Sequence, residues 1–261
     1  MNNGFKGTVF ITGASSGIGY HTALEAVKSG YRVILTARRL ERLKELQQLC
    51  DAINPNSAII YQMDLLDIDQ VEAVITAVQE NYNVDVLLNN AGMGLTKFVR
   101  TLTFKDIDTV FRVNVLALMY ISKLFAAYFV DRQKGHIIQI GSIAGKVPTQ
   151  KTAVYSASKA AVLSFTDTMR QELKTHHVFV TTINLGPVDT DFFQKVDTDP
   201  SYLKKVKPFM LSEEAVSKKI VSVMRTNKRE VNRPLLLAAG AKLYQLVPSL
   251  ADRLLSMTFR K

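Results

Sequence analysis

At 261 residues and 47% apolar side chains, the chain is long enough for one large α/β domain, and its single cysteine, Cys50, excludes an internal disulfide. No apolar run reaches the roughly 18–20 residues of a membrane span, residues 1–7 lack the apolar stretch of a secretory signal, and the four histidines have no metal-ligand spacing. The net charge of +10 is concentrated in residues 218–261, where ten basic side chains oppose only Glu230 and Asp252, so it is not read as general nucleic-acid affinity. A soluble, cytoplasmic, metal-free protein is expected.

Short β-rich runs alternate with longer helical ones. Residues 8–11 predict a first strand, and the spacing of Ala23, Leu24, Ala26 and Val27 predicts a helix ending at Gly30. A strand over 31–36, a charged helix over 40–49 and a turn at 54–56 follow. Strands over 58–62, 84–88, 135–140 and 178–183 are then read, with a helix over 68–81. Strands separated by helix-length segments imply right-handed βαβ units and a parallel sheet buried on both faces.

Between the first strand and first helix stands Thr12-Gly13-Ala14-Ser15-Ser16-Gly17-Ile18-Gly19. Glycines there let the backbone approach a pyrophosphate, and the following helix presents free N–H groups to it. Gly13, Ser15, Ser16, Gly17, Ile18 and Gly19 are therefore candidate cofactor-binding residues. An ordinary glycine-rich turn is the bland alternative. At the end of the second strand an acid would hold NAD ribose hydroxyls, but this chain has Arg38 and Arg39, with no acid before Glu41. A guanidinium can contact a 2′-phosphate bidentately, and two arginines at a helix start oppose its dipole, so NADP(H) is expected over NAD(H).

Tyr155-Ser156-Ala157-Ser158-Lys159 follows, with Ser142 thirteen residues before the tyrosine. Positions four apart share a helix face, so Tyr155 and Lys159 become neighbours. Unit charges about 4 Å apart at an effective dielectric of about 20 interact by roughly 4 kcal/mol. That is roughly three pKa units, enough to draw a phenol from about 10 toward neutrality. The same spacing otherwise merely coats a helix. Ser156 and Ser158 are read as spacers.

With these motifs in register, the chain resembles the short-chain dehydrogenase/reductase family over residues 6–230, and in particular NADP-preferring 3-oxoacyl-reductase and DltE-like members. The resemblance implies a single doubly wound Rossmann-type domain with a parallel seven-stranded sheet. Residues 1–233 would form the NADP-binding and catalytic domain, and residues 234–261 a basic amphipathic helical extension of it. It also implies that Asp64 and Leu65 meet the adenine, and that Asn89-Asn90-Ala91-Gly92 steadies the sheet and lines the cofactor. Asn114 matches the catalytic asparagine, which positions a water joining Lys159 to a proton relay. Residues 184–190 match N-P-G-x-V-x-T except that Leu185 replaces the proline, leaving Val188 and Thr190 to hold the nicotinamide amide. Tyr155 would be the general acid/base, Lys159 would also hold the nicotinamide ribose, and Ser142 would bind the substrate oxygen. The expected reaction is hydride transfer between NADP(H) and a carbonyl or secondary alcohol, in a homodimer or homotetramer. A non-catalytic NADP(H)-binding regulator is the alternative, although it would not need Asn114, Ser142, Tyr155 and Lys159 together.

Met93, Leu95, Phe98, Ile143, Val147, Pro148, Phe192 and Phe193 are candidate substrate-lining residues, favouring an apolar or acyl-bearing carbonyl. Residues 191–211 look like a mobile lid, on which Lys204, Lys205 and Lys207 face solvent or a substrate anion. Residues 234–247 are apolar and nearly uncharged before Pro248 breaks the run. Ser249 and Asp252 can cap a second helix striped by Leu250, Leu254, Leu255 and Met257. This hairpin either packs on the core or a second subunit, or touches an anionic membrane surface or an acyl-carrier protein.

Overall fold

A computed structural model describes residues 4–190, 207–224 and 226–249. Seven strands make one sheet: β1 (Thr8–Thr12), β2 (Arg32–Ala37), β3 (Ala58–Gln62), β4 (Val86–Asn89), β5 (Gly135–Ser142), β6 (Val178–Leu185) and β7 (Glu230–Arg233). Their order is β3-β2-β1-β4-β5-β6-β7, every pairing is parallel, and the order reverses between β1 and β4. The expected doubly wound α/β fold is the one formed. β7 has no pattern of its own, because only Val231 among its four residues is apolar. Its place is set by pairing with β6, not by propensity.

Helices α1 (Gly17–Lys28) and α2 (Leu40–Ile53) bury Ala23, Ala26, Leu43 and Leu46 on one face of the sheet. α3 (Ile68–Asn81) covers the other face through Val71, Ile75 and Val78. α4 (Phe104–Phe111), a π-helical turn (Arg112–Leu116) and α5 (Ala117–Asp131) run on as one helix, and α6 (Ala153–Leu173) lies beside it. α7 (Glu213–Val223) joins the first face, and α8 (Leu235–Leu246) follows β7. Within β1, Val9 and Ile11 point into one layer and Phe10 into the other, the two-residue alternation of a strand. With both faces covered, inward positions on either side are mostly apolar, so strands such as β1, β2 and β4 read as continuous apolar runs.

Element ends follow local chemistry. α1 stops at Lys28, and Gly30 takes the left-handed φ of +87° that the departing chain needs. Asp67 caps α3 by accepting from Gln70 N, Ser212 caps α7 by accepting from Ala215 N, and Thr103 and Asp106 form a capping box on α4. α2 extends past the expected 49 to Ile53 and buries Cys50 completely. Burial, followed by the charge of Asp51, pushes that thiol up to about 12.

The continuous helix Phe104–Asp131 is long and apolar enough to match a membrane span, contrary to the reading of the sequence. Lys123 interrupts its apolar run but lies on the exposed side, while Ile121, Phe125 and Phe129 are buried against the sheet. On that side the apolar content is core packing, while Phe104, Ile107 and Leu116 are exposed. Gly135 opens β5 directly beneath Phe129, where an added Cβ would sit 2.1 Å from the ring's Cγ. Gly135→Ala is expected to lower stability by about 2 kcal/mol or more through this overpacking, measured as a fall in the urea midpoint at unchanged slope.

Candidate active site

Where β1 and β4 part, a cleft of about 1120 Å³ opens at the carboxyl ends of the strands. It is lined by Gly13, Ser15, Ser16, Gly17, Ile18, Arg38, Arg39, Asp64, Leu65, Asn90, Ala91, Gly92, Val188 and Thr190, together with Ser142, Tyr155 and Lys159. Almost all the residues singled out in the sequence therefore share one wall. Gly19 and Asn114 do not line it. They act from behind.

The glycine turn is tightened by packing. Gly13 (φ +68°) and Gly17 (φ +61°) are both left-handed, and a Cβ on Gly13 would lie 2.8 Å from the Ala91 backbone. A Cβ on Gly19 would lie 2.5 Å from both Asn90 Nδ2 and Gly13 O. Asn90 in turn donates to Thr12 O at 3.0 Å and Gly13 O at 3.2 Å, tying the loop after β4 to the loop after β1. Ser16 at the start of α1 makes no side-chain cap, and no acid stands in the first turn. The helix therefore presents N–H groups to the cleft without a side-chain cap or acid of its own, although Glu213 of α7 stands beside Gly17.

Arg39 is the N-cap residue of α2 and reaches across to this turn, donating to Ser16 Oγ at 2.9 Å and Ser15 Oγ at 3.1 Å. Arg38 stands exposed beside it on the rim. Asp64 lies two residues past β3, and its carboxylate accepts from Leu66 N. Asn89, the first residue of the Asn-Asn-Ala-Gly motif, is buried in the sheet and donates to Ser122 Oγ at 3.0 Å.

Ser142 is the last residue of β5, with its hydroxyl donating to Leu185 O at 3.3 Å and accepting from Ala144 N at 3.1 Å. Leu185, which replaces the family's proline, prolongs β6 by pairing with Ser142 on one side and Arg233 on the other. A proline could not donate within that ladder. Tyr155 is half-buried in the first turn of α6, and Lys159 lies one turn later, fully buried, its Nζ 6.0 Å from the tyrosine ring centre. Lys159 Nζ donates to Ile140 O at 2.9 Å. Gly145 permits this closeness, since a Cβ there would meet the α6 backbone at 2.9 Å. No sequence signal marked Gly145, because its requirement is a contact rather than a turn.

Asn114 sits in the π-helical turn, a local widening frequent at functional sites. Its amide accepts from Met93 N at 2.8 Å and donates to Met93 O at 2.9 Å and Ser158 Oγ at 3.1 Å. Both N–H donors are thus committed, leaving only the amide oxygen's remaining lone pair for the water expected there. Ser158 donates to Tyr155 O at 2.7 Å, and Ser156 meets Thr152 Oγ1 at 2.8 Å. Ser156 bonds only within its own stretch of chain, as a spacer would, whereas Ser158 does more. Ser158 links Asn114 to the turn that carries Tyr155.

Of the expected substrate-lining residues, Met93, Leu95, Ile143 and Val147 line the cleft. Phe98 and Pro148 do not; Phe98 is exposed between the cations of Arg100 and Lys151. Phe192, Phe193, Lys204 and Lys205 lie outside the described residues, as do Arg253, Leu254, Leu255 and Met257. The expected lid is described only from Lys207, where Phe209 faces the cleft and Leu211 bridges to Val188. Unforeseen lining comes from α8, whose Leu237, Ala241 and Tyr244 roof the site. Leu237 packs over Gly186, within 2.9 Å of where a Cβ would stand.

A family model described as short chain dehydrogenase matches residues 7–201. The chain belongs to this family. An NADP-dependent 3-hydroxy acid dehydrogenase of Schizosaccharomyces pombe is 34% identical over 188 residues, covering 71% of this chain and 73% of that protein. A ketoacyl reductase of a Nostoc species is 30% identical over 260 residues, covering 95% and 87%. Among solved structures, a serine dehydrogenase complexed with NADP+ superposes with a TM-score of 0.77 at 32% identity, covering 86% of this short-chain dehydrogenase and 94% of that chain.

Burial drives the Lys159 ammonium down to about 8 from an ordinary 10.5. The lysine therefore destabilises the fold fully below about pH 8, and the penalty fades as pH rises toward 10.5, at about 1.4 kcal/mol per pKa unit. Lys159→Met in this dehydrogenase is expected to melt no lower than wild type at pH 7, with any gain vanishing near pH 10.5, as read by thermal denaturation across that range.

Proposed function

We propose that this dehydrogenase transfers hydride between NADP(H) and a carbonyl or secondary-alcohol substrate, with Tyr155 as the proton-transferring group. The observation that carries the reading is the buried Lys159 ammonium, held by Ile140 O at the foot of the cleft beside Tyr155 and Ser142. A buried charge of this cost is retained where it does chemistry. A purely regulatory nucleotide-binding protein could use Lys159 on the ribose but would not need Asn114, Ser142 and Tyr155 beside it.

The residues fit an NADP-type dinucleotide. The uncapped α1 N-terminus and the Gly13–Gly17 turn suit a pyrophosphate, and Arg38 and Arg39 suit a 2′-phosphate. Asp64 and Leu65 line the cleft for the adenine, and Val188 and Thr190, the latter beside Gly17, line it for the nicotinamide amide. Relatives named for NADP support the same choice. When bound, the nicotinamide supplies hydride to the substrate carbon in reduction, or accepts it in oxidation.

In reduction, the Tyr155 phenol gives its proton to the oxygen that gains the carbonyl electron pair; in oxidation, the phenolate takes the alcohol proton back. The Lys159 ammonium stabilises that phenolate electrostatically. Ser142 Oγ, oriented by Ala144 N and Leu185 O, holds the substrate oxygen within reach of the phenol. Asn114 and Ser158 fix the turn bearing Tyr155. Met93, Leu95, Ile143 and Val147, with Leu237 and Tyr244 above, make the substrate end apolar, so an apolar or acyl-bearing carbonyl is the preferred class.

Tyr155→Phe is expected to cut NADPH-dependent carbonyl reduction by about a thousandfold while leaving NADPH affinity within about threefold, measured by turnover and by fluorescence titration. Full activity in that variant would remove the reading. Reduction should hold steady below pH 8 and decline above it as Lys159 loses its charge, since the phenolate then forms unassisted. Arg38→Ala should raise the KM for NADPH about tenfold and leave that for NADH nearly unchanged.

A further inference from the structure

The outer side of α8 is strongly apolar and exposed. Leu235, Leu243 and Leu246 are between 60% and 78% exposed there, Leu236 is equally exposed at the edge of the cleft, and only Ala241 in the helix is buried. These neighbouring leucines in water form an apolar patch of the kind that marks an interaction surface. The helix has 12 residues, roughly 18 Å against the roughly 30 Å of a bilayer core, so it cannot cross one.

Cations outnumber acids around this patch. Residues 231–249 contain no acid, while Arg233 precedes the helix and Lys242 lies exposed within it. Lys219 of α7 stands close enough to Lys228 and Arg233 that their charges hold its ammonium below the usual lysine range, after the larger effect of desolvation. The adjoining residues 250–261 add Arg253, Arg260 and Lys261 against Asp252. A second copy docking here by twofold symmetry would set mostly cation against cation, with Asp252 the one acid in residues 231–261 to offset them. An anionic lipid surface satisfies both the leucines and the cations.

We propose that α8 is a peripheral docking helix that lies in the interface of an anionic bilayer, with Leu235, Leu243 and Leu246 in the acyl boundary and Lys242 and Arg233 among the headgroups. Because Leu237, Ala241 and Tyr244 on its other side roof the cleft, docking brings the cleft mouth to the bilayer. The attachment itself does not depend on the proposed reaction.

The test is flotation of the full chain with phosphatidylcholine vesicles containing about 30% phosphatidylglycerol, with pure phosphatidylcholine vesicles, and with the anionic vesicles at high salt. Binding to anionic vesicles that weakens with salt and is absent from neutral ones is expected. The triple variant Leu235→Ser, Leu243→Ser, Leu246→Ser should lose about tenfold or more of the bound fraction, and Lys242→Glu should lose part of it. Unchanged NADPH titration and circular dichroism would show that both variants are folded. Failure of the wild type to float with anionic vesicles, or equal flotation of wild type and triple variant, overturns the proposal. So does conversion of an oligomer to monomer by the triple variant in sedimentation, which would assign the patch to a second copy.

Discussion

A parallel sheet covered by helices on both faces leaves its polypeptide only one place to receive a ligand, the carboxyl ends of the strands where neighbouring connections diverge. Here that place lies between β1 and β4. From β1 the chain turns to one side through Gly13 and Gly17, and from β4 it turns away through Asn90 to Gly92. The two loops are laced together by the Asn90 amide on Thr12 O and Gly13 O, and Gly19 allows α1 to approach that amide. Everything else in the cleft is added to this frame.

The reacting end is built from two elements that meet only through tertiary packing. β5 ends in Ser142, α6 begins near Tyr155, and Gly145 lets the intervening turn rest on the α6 backbone. Lys159 is thereby forced into the interior, where a single carbonyl, Ile140 O, receives its ammonium. Desolvation costs the fold stability and places the group's titration at about 8. The same burial removes the water that would otherwise screen its influence on the tyrosine. Stability is exchanged for electrostatic leverage at one position.

Support for the site extends outward through hydrogen bonds with no free donors. Asn114, in a π-helical turn, spends both N–H groups on Met93 O and Ser158 Oγ, and Ser158 passes the connection to Tyr155 O. The loop that faces the substrate and the turn that carries the tyrosine are therefore held by one side chain. α8 closes the site from above with Leu237 and Tyr244, while its exposed Leu235, Leu243 and Leu246 do not line it. One helix thus has two apolar sides, of which the cleft explains only one.

The order of strands and helices, the glycine turn, the arginines after β2 and the Tyr155–Lys159 pair were all legible in the sequence, because each depends on local periodicity or on residues a few positions apart. β7 was not, since an edge strand with one apolar residue in four is specified by β6 alone. Phe104–Asp131 misled in the other direction, because Lys123 breaks the run in sequence yet faces solvent in space. Gly145, the bonds made by Ser158 and the roof supplied by α8 join residues far apart in the chain or depend on which face packs. The sequence by itself determined the chemistry available to this protein. Tertiary structure decided which of those groups are buried, and so which carry a charge that costs stability and can act on a neighbour.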